Sequence, residues 1–97
     1  METDPSPLRG LRVLDLSTGI AGPYAARVLR EAGAEVLKLE EPCGDPMREW
    51  SASSKGLPPG QDSGLFQFLN AGKQGVPCDL MTAEGQEVLG HLAAEAD

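Results

Sequence analysis

Residues Pro7 to Arg48, PLRGLRVLDLSTGIAGPYAARVLREAGAEVLKLEEPCGDPMR, decide the fold of this 97-residue chain. Leu11–Leu16, LRVLDL, is a mostly apolar run between Gly10 and Ser17-Thr18-Gly19, the profile of a strand buried on both faces. Gly19, Gly22 and Pro23 then punctuate a turn, and Pro23 suits the first position of a helix, where its missing N–H costs nothing. In the helix that follows, Tyr24, Val28 and Leu29 with Ala25 and Ala32 form one apolar stripe. Arg27, Arg30 and Glu31 take the other side, and Gly33 is placed to end the helix as its C′ residue. Ala34–Leu39, AEVLKL, reads as a second strand. A strand joined through a helix to a second strand implies a right-handed parallel crossover, so the fold class is α/β with a parallel sheet and crossover helices.

Outward from this unit the signals thin. Residues 40–63 carry four of the eight prolines, Pro42, Pro46, Pro58 and Pro59, with Gly44, Gly56 and Gly60 among them. That composition predicts a long irregular connection. Leu65, Phe66, Phe68 and Leu69 suit a short helix, Gly75–Leu80 a third strand, and Thr82 an N-cap for a helix from Ala83 to about Ala94 with Val88, Leu89 and Leu92 inward. Residues 1–8 are expected to be flexible. At Asp97 a doubly wound sheet would be about to lay down its next strand, so an incomplete domain is expected.

A net charge of −7 argues against nucleic acid, which needs a basic stripe, and against anionic lipid. No run approaches the ~20 apolar residues of a membrane span. The opening METDPSPLRG is polar and acidic and does not read as a signal peptide, which places the chain in the cytoplasm. Cys43 and Cys78, with one histidine and no CxxC, support neither zinc nor a disulfide framework, so free thiols are expected.

Four groups could carry chemistry. The turn Ser17–Pro23 offers free N–H groups at a helix N-terminus, suited to a phosphate, carboxylate or thioester oxygen, although a structural turn looks the same. It is not the G-x-G-x-x-G of dinucleotide sites, which ranks a nicotinamide-dependent oxidoreductase last. In Gly44-Asp45-Pro46-x-Arg48-x-Trp50, Asp45 reads as a turn residue bonded to its own backbone and Trp50 as a core cover. In the loop Asn70-Ala71-Gly72-Lys73, Lys73 either meets phosphate or is merely solvated. His91, with no serine, cysteine or acidic orienter near it, is not a triad member.

PLRGLRVLDLS, AGPYAARVLREAGAEVLKLE, GDPMREW, FLNAGK and CDLMTAEGQEVLGHLAAEAD, in that order, resemble the opening of the family III CoA-transferases, the group of formyl-CoA transferase, carnitine CoA-transferase and α-methylacyl-CoA racemase. The resemblance implies the N-terminal part of a Rossmann-like domain and, in the intact protein, a homodimer of two chains interlocked as rings. It implies CoA passed between carboxylic acids through anhydride and thioester intermediates on an aspartate beyond Asp97, so no catalytic residue is assigned here. No permanently bound cofactor or metal is implied; coenzyme A or an acyl-CoA enters as substrate, with a carboxylic acid as its partner. By the same resemblance the backbone at Ile20 and Ala21 approaches the CoA thiol end, while Cys78, Asp79, Leu80 and Met81 lie against the adenosine end and Lys73 keeps a cationic contact. Glu41 stands where relatives often have a basic residue, Ala71 and Gln74 stand in an N-R-N-K-R-S pattern, and Met81 stands where a lysine can occur. These departures would weaken attraction to the CoA phosphates. The leading reading is an N-terminal fragment of an acyl-CoA transferase that contributes part of the CoA site. The alternatives are a CoA-dependent racemase and a non-catalytic CoA-binding or degenerate module.

Overall fold

The computed structural model describes residues 5–52 and 56–97. Strands β1 (Arg12–Asp15), β2 (Glu35–Glu40) and β3 (Gln74–Pro77) form one parallel sheet in the order β1-β2-β3. Helix α1 (Ala21–Glu31) joins the first two strands, α2 (Gly64–Leu69) precedes β3, and α3 (Ala83–Glu95) follows it. The register sets Leu14 beside Leu37 beside Gln74, and Asp15 beside Lys38 beside Gly75. The α/β parallel architecture is therefore the one read from the sequence.

Local chemistry accounts for most of the boundaries. Gly33 takes φ +111°, which only glycine adopts without strain. It lets its own N–H reach Arg30 O and that of Ala34 reach Leu29 O, closing α1 with a Schellman motif. Ser63 and Thr82 cap α2 and α3, their hydroxyls accepting from the N–H groups of Phe66 and Gly85. Helix α1 begins two residues before Pro23, which is buried within the first turn, where its N–H would have no partner in the helix anyway.

Four expectations are corrected. First, β1 is not buried on both faces: Arg12 and Leu16 are exposed and Val13 and Leu14 only half-buried. Second, the inward face of α1 is Pro23 and Ala26, while Tyr24 and Val28 face outward at 49% and 46% exposure. Small residues win that face because the helix lies close to the sheet. Third, β3 ends at Pro77, short of Leu80, where the chain turns into α3. Fourth, α3 packs chiefly on β1, so Leu89 and Leu92 are only half-buried and Val88 is exposed.

Glu40 still belongs to β2, and residues 41–63 are irregular apart from a 3-10 turn at Pro46–Glu49, with 53–55 outside the described residues. Asp45 caps that turn as expected, its Oδ1 accepting from Met47 N–H at 2.9 Å. Trp50 does not cover the core; it is 46% exposed. The connection is held by Arg48, which donates to Glu40 and Asp62 and lies 4.1 Å over the Phe66 ring. Of the stretch expected to be flexible, residues 1–4 lie outside the described residues, and Leu8 N–H bonds Ala32 O at 2.9 Å.

Candidate functional site

Parallel sheets present ligands at the carboxyl ends of their strands, where loops diverge and helix N-termini point. Here the three ends surround a cavity of about 130 Å³ lined by Leu16 and Thr18 beyond β1, Glu41 and Asp45 beyond β2, and Cys78 and Leu80 beyond β3. A roomier cavity of about 460 Å³ lies toward the strand starts, lined by Arg12, Glu35, Gln74 and Leu92. Its polar lining is exposed side chains, the Arg12–Glu35 ion pair at 3.6 Å among them, whereas the carboxyl-end cavity is lined by the buried Lys38 and Asp45, so the latter is the candidate site.

The wall beyond β1 is Leu16 and Thr18, where the turn Ser17–Pro23 begins. Gly19 sits at φ +83°, and a Cβ on Gly22 would collide with the Ser17 side chain, so both glycines are needed for the chain to fold back this tightly. No side chain caps α1 and its first turn has no acidic residue, which leaves the N–H dipoles at Ile20 and Ala21 facing outward; Ile20 is 58% exposed.

The wall beyond β3 is tied by Asp79. Its Oδ1 accepts from Met81 N–H at 3.0 Å, and its carbonyl accepts from the Thr82 N–H and hydroxyl. Helix α3 approaches so closely that any Cβ on Gly85 would strike the Asp79 carbonyl. Cys78 is buried with its thiol donating to Gly85 O, Leu80 is half-buried on the cavity, and Met81 is fully outside.

Lys73 is drawn into the fold. It is neither solvated nor turned to the cavity: its Nζ donates to Asp15 Oδ2 (2.8 Å), Pro23 O (2.9 Å) and Asn70 Oδ1 (2.8 Å), with the side chain 1% exposed. All three ammonium donors are thereby taken, leaving none for a phosphate. A short loop before β3 runs beneath α1, and the buried Asp15 carboxylate draws the ammonium inward. Asp15 itself titrates below the usual carboxylate range: burial, the largest influence, pushes it up, but the bonds from Lys73 and from the Ser17 side chain and backbone outweigh burial.

A second buried ammonium, Lys38, was not singled out from sequence. Its Nζ donates to Ser17 O at 2.9 Å and stands 3.0 Å from Asp45 Oδ2, both side chains nearly wholly buried. That approach is an ion pair without hydrogen-bond geometry, since Asp45 Oδ2 has no hydrogen-bond partner. The available signal was period-two spacing, which puts Lys38 on the same face as buried Val36. At the rim, Glu40 is held below its usual range chiefly by Arg48, against burial. His91 is exposed on α3, Cys43 and Cys78 are free thiols, and no group of three metal-ligating side chains forms among the described residues. Among those residues no helix is long and apolar enough to cross a membrane.

A three-stranded parallel sheet with crossover helices defines a Rossmann-like α/β fold. Residues 8–97 match the CoA-transferase family III profile, and the chain belongs to that family. It is 37% identical over its whole length to the cinnamoyl-CoA:phenyllactate CoA-transferase of Clostridium sporogenes and spans 24% of that protein. To a probable fatty acyl-CoA transferase of Mycobacterium tuberculosis it is 41% identical over 94% of its length, spanning 23% of the relative. A crystal structure of a CAIB/BAIF family protein from Brucella suis superposes with TM-score 0.84 at 37% identity, over 95% of this chain and 24% of that one. The chain thus spans about a quarter of the relatives it matches.

Proposed function

We propose that this chain is the N-terminal part of an acyl-CoA transferase that moves CoA between carboxylic acids, forming one wall of the CoA site and supplying no nucleophile. The carrying observation is the convergence of loops from all three strand ends on one cavity lined by Thr18, Cys78 and Leu80; the uncapped start of α1 at Ile20 and Ala21 follows Thr18 in the chain. In this reading the N–H dipoles there meet the thioester end, and the loop Cys78–Met81 lies along the nucleotide end, contributing backbone rather than charge. The reaction exchanges one thioester for another: a carboxylate nucleophile from outside these residues takes the acyl group and releases CoA thiolate, the thiolate attacks the nucleophile's own carbonyl to form an enzyme thioester and expel the first acid, and the acceptor carboxylate reverses both steps to leave as the new acyl-CoA. The whole enzyme is read as a homodimer acting in the cytoplasm on a CoA thioester and a carboxylic acid, without nucleic acid or membrane as partner.

The test is calorimetric titration of the chain with CoA and with NADH, together with acyl exchange followed by mass spectrometry. Weak binding of CoA, weaker binding of NADH and no exchange by the chain alone are expected. Tighter binding of NADH than of CoA, or turnover by the isolated chain, would overturn the reading.

A further inference from the structure

Two buried lysines hold the turn between β1 and α1 from opposite sides. Lys73 gathers three acceptors from three segments: the Asp15 carboxylate at the end of β1, the Pro23 carbonyl in the first turn of α1, and the Asn70 amide in the loop before β3. Lys38 reaches the Ser17 carbonyl from β2. Ser17 closes the arrangement, its hydroxyl and its N–H both donating to Asp15 Oδ1 at 2.5 and 2.9 Å. The turn is therefore pinned at Asp15, Ser17 and Pro23, while the residues between, from Gly19 to Gly22, carry the uncapped N–H groups.

An ammonium is suited to this task. It offers three donors in a tetrahedral array, whereas a planar guanidinium in the same slot would aim its donors in one plane and miss some of these carbonyls. Buried ion pairs are also poor devices for stability alone, because desolvation offsets much of their attraction; apolar replacements of similar volume are often as stable. What such a pair fixes here is geometry.

We infer that Lys73, with Lys38, is a positioning residue: it holds the Ser17–Pro23 turn in the conformation that meets the ligand, and does not itself contact a phosphate. The inference rests on reading that turn as a wall of the CoA site. It deepens that reading by separating residues that touch ligand from residues that hold them.

The experiment compares the parent chain with Lys73→Arg and with Asp15→Asn/Lys73→Met, which removes the buried charges as a pair and keeps an acceptor for Ser17. Binding of CoA and of pantetheine, which carries the thiol end without phosphates, is titrated at low and high salt. Amide exchange at Tyr24, whose N–H bonds Ile20 O, is read against Leu39 in β2 as an internal reference. If the competent turn falls to a tenth of the population, apparent affinity falls about tenfold. That fall is expected equally for both ligands and in both variants, with the salt slope unchanged and Tyr24 exchanging faster relative to Leu39. A loss confined to CoA with a shallower salt slope, or a Lys73→Arg variant binding CoA as tightly as the parent, would make Lys73 a phosphate contact and overturn the inference. Unchanged relative exchange at Tyr24 in both variants would overturn it as well. If the parent binds neither ligand, the CoA reading fails for this chain, and the exchange ratio alone decides whether the lysines hold the turn.

Discussion

At the scale of single residues two ion pairs are buried among the described residues, Asp15 with Lys73 and Lys38 with Asp45. Asp15 and Lys38 are register partners on adjacent strands, yet each takes a different partner, Lys73 and Asp45. The depressed titration of Asp15 and Glu40 has a consequence for stability with a definite sign. Both carboxyls bind protons more weakly in the folded chain than in the unfolded one, where values of about 3.9 and 4.3 apply. Their contribution is therefore fully present above roughly pH 5 and is lost as pH falls through the folded values. Urea midpoints are expected to be flat from about pH 5 to 7 and to drop below about pH 4, less steeply in Asp15→Asn/Lys73→Met. A midpoint that rose on acidification would contradict this assignment. Little of this was legible in sequence. A lysine before a strand looks the same whether it is solvated or drawn under a helix, and only the placement of Asp15 beneath Pro23 decides between them.

At the scale of elements the sequence was read well where backbone chemistry dictates the outcome. Gly33 had to end α1 and Thr82 had to begin α3, because a positive φ and an N-cap hydroxyl are local requirements. It was read poorly where packing dictates. The stripe Tyr24–Val28 is the more hydrophobic side of α1, but Pro23 and Ala26 let the helix sit closer to the sheet and took the inward face. Tyr24 instead stacks on Phe68, with ring centroids 6.4 Å apart, and Arg27 covers the Phe68 ring while donating to its carbonyl. Enlarging the inward side should then be costly and trimming the outward side should not. Ala26→Leu is expected to destabilise by about 1–3 kcal/mol through overpacking, and Val28→Ser to change stability by no more than about 0.5 kcal/mol. Denaturant titration of the two variants checks this, and the opposite order would restore the stripe to the core.

At the scale of the whole molecule, cover is incomplete. The radius of gyration is 15.0 Å, against about 13 Å for a compact domain of this size. Leu14, Leu37 and Val76 are only partly buried on the sheet, and Ile20, Tyr24 and Phe68 stand about half exposed or more. Apolar surface of this kind favours association between copies, while a net charge of −7 opposes it. Salt decides between the two, because it screens repulsion within a Debye length of about 8 Å at physiological ionic strength and strengthens apolar burial little. The chain is therefore expected to sediment as a monomer at about 0.01 M salt, where the screening length is near 30 Å, and to form larger species as salt approaches about 1 M, where it is near 3 Å. Sedimentation velocity across that range reads the shift directly. A sharp monomer at every salt concentration, with a cooperative melt above roughly 60 °C at the upper part of the mesophile range, would mean that Val36, Leu39, Phe66, Leu69 and their few buried neighbours suffice as a core and that the exposed apolar residues recruit no second copy.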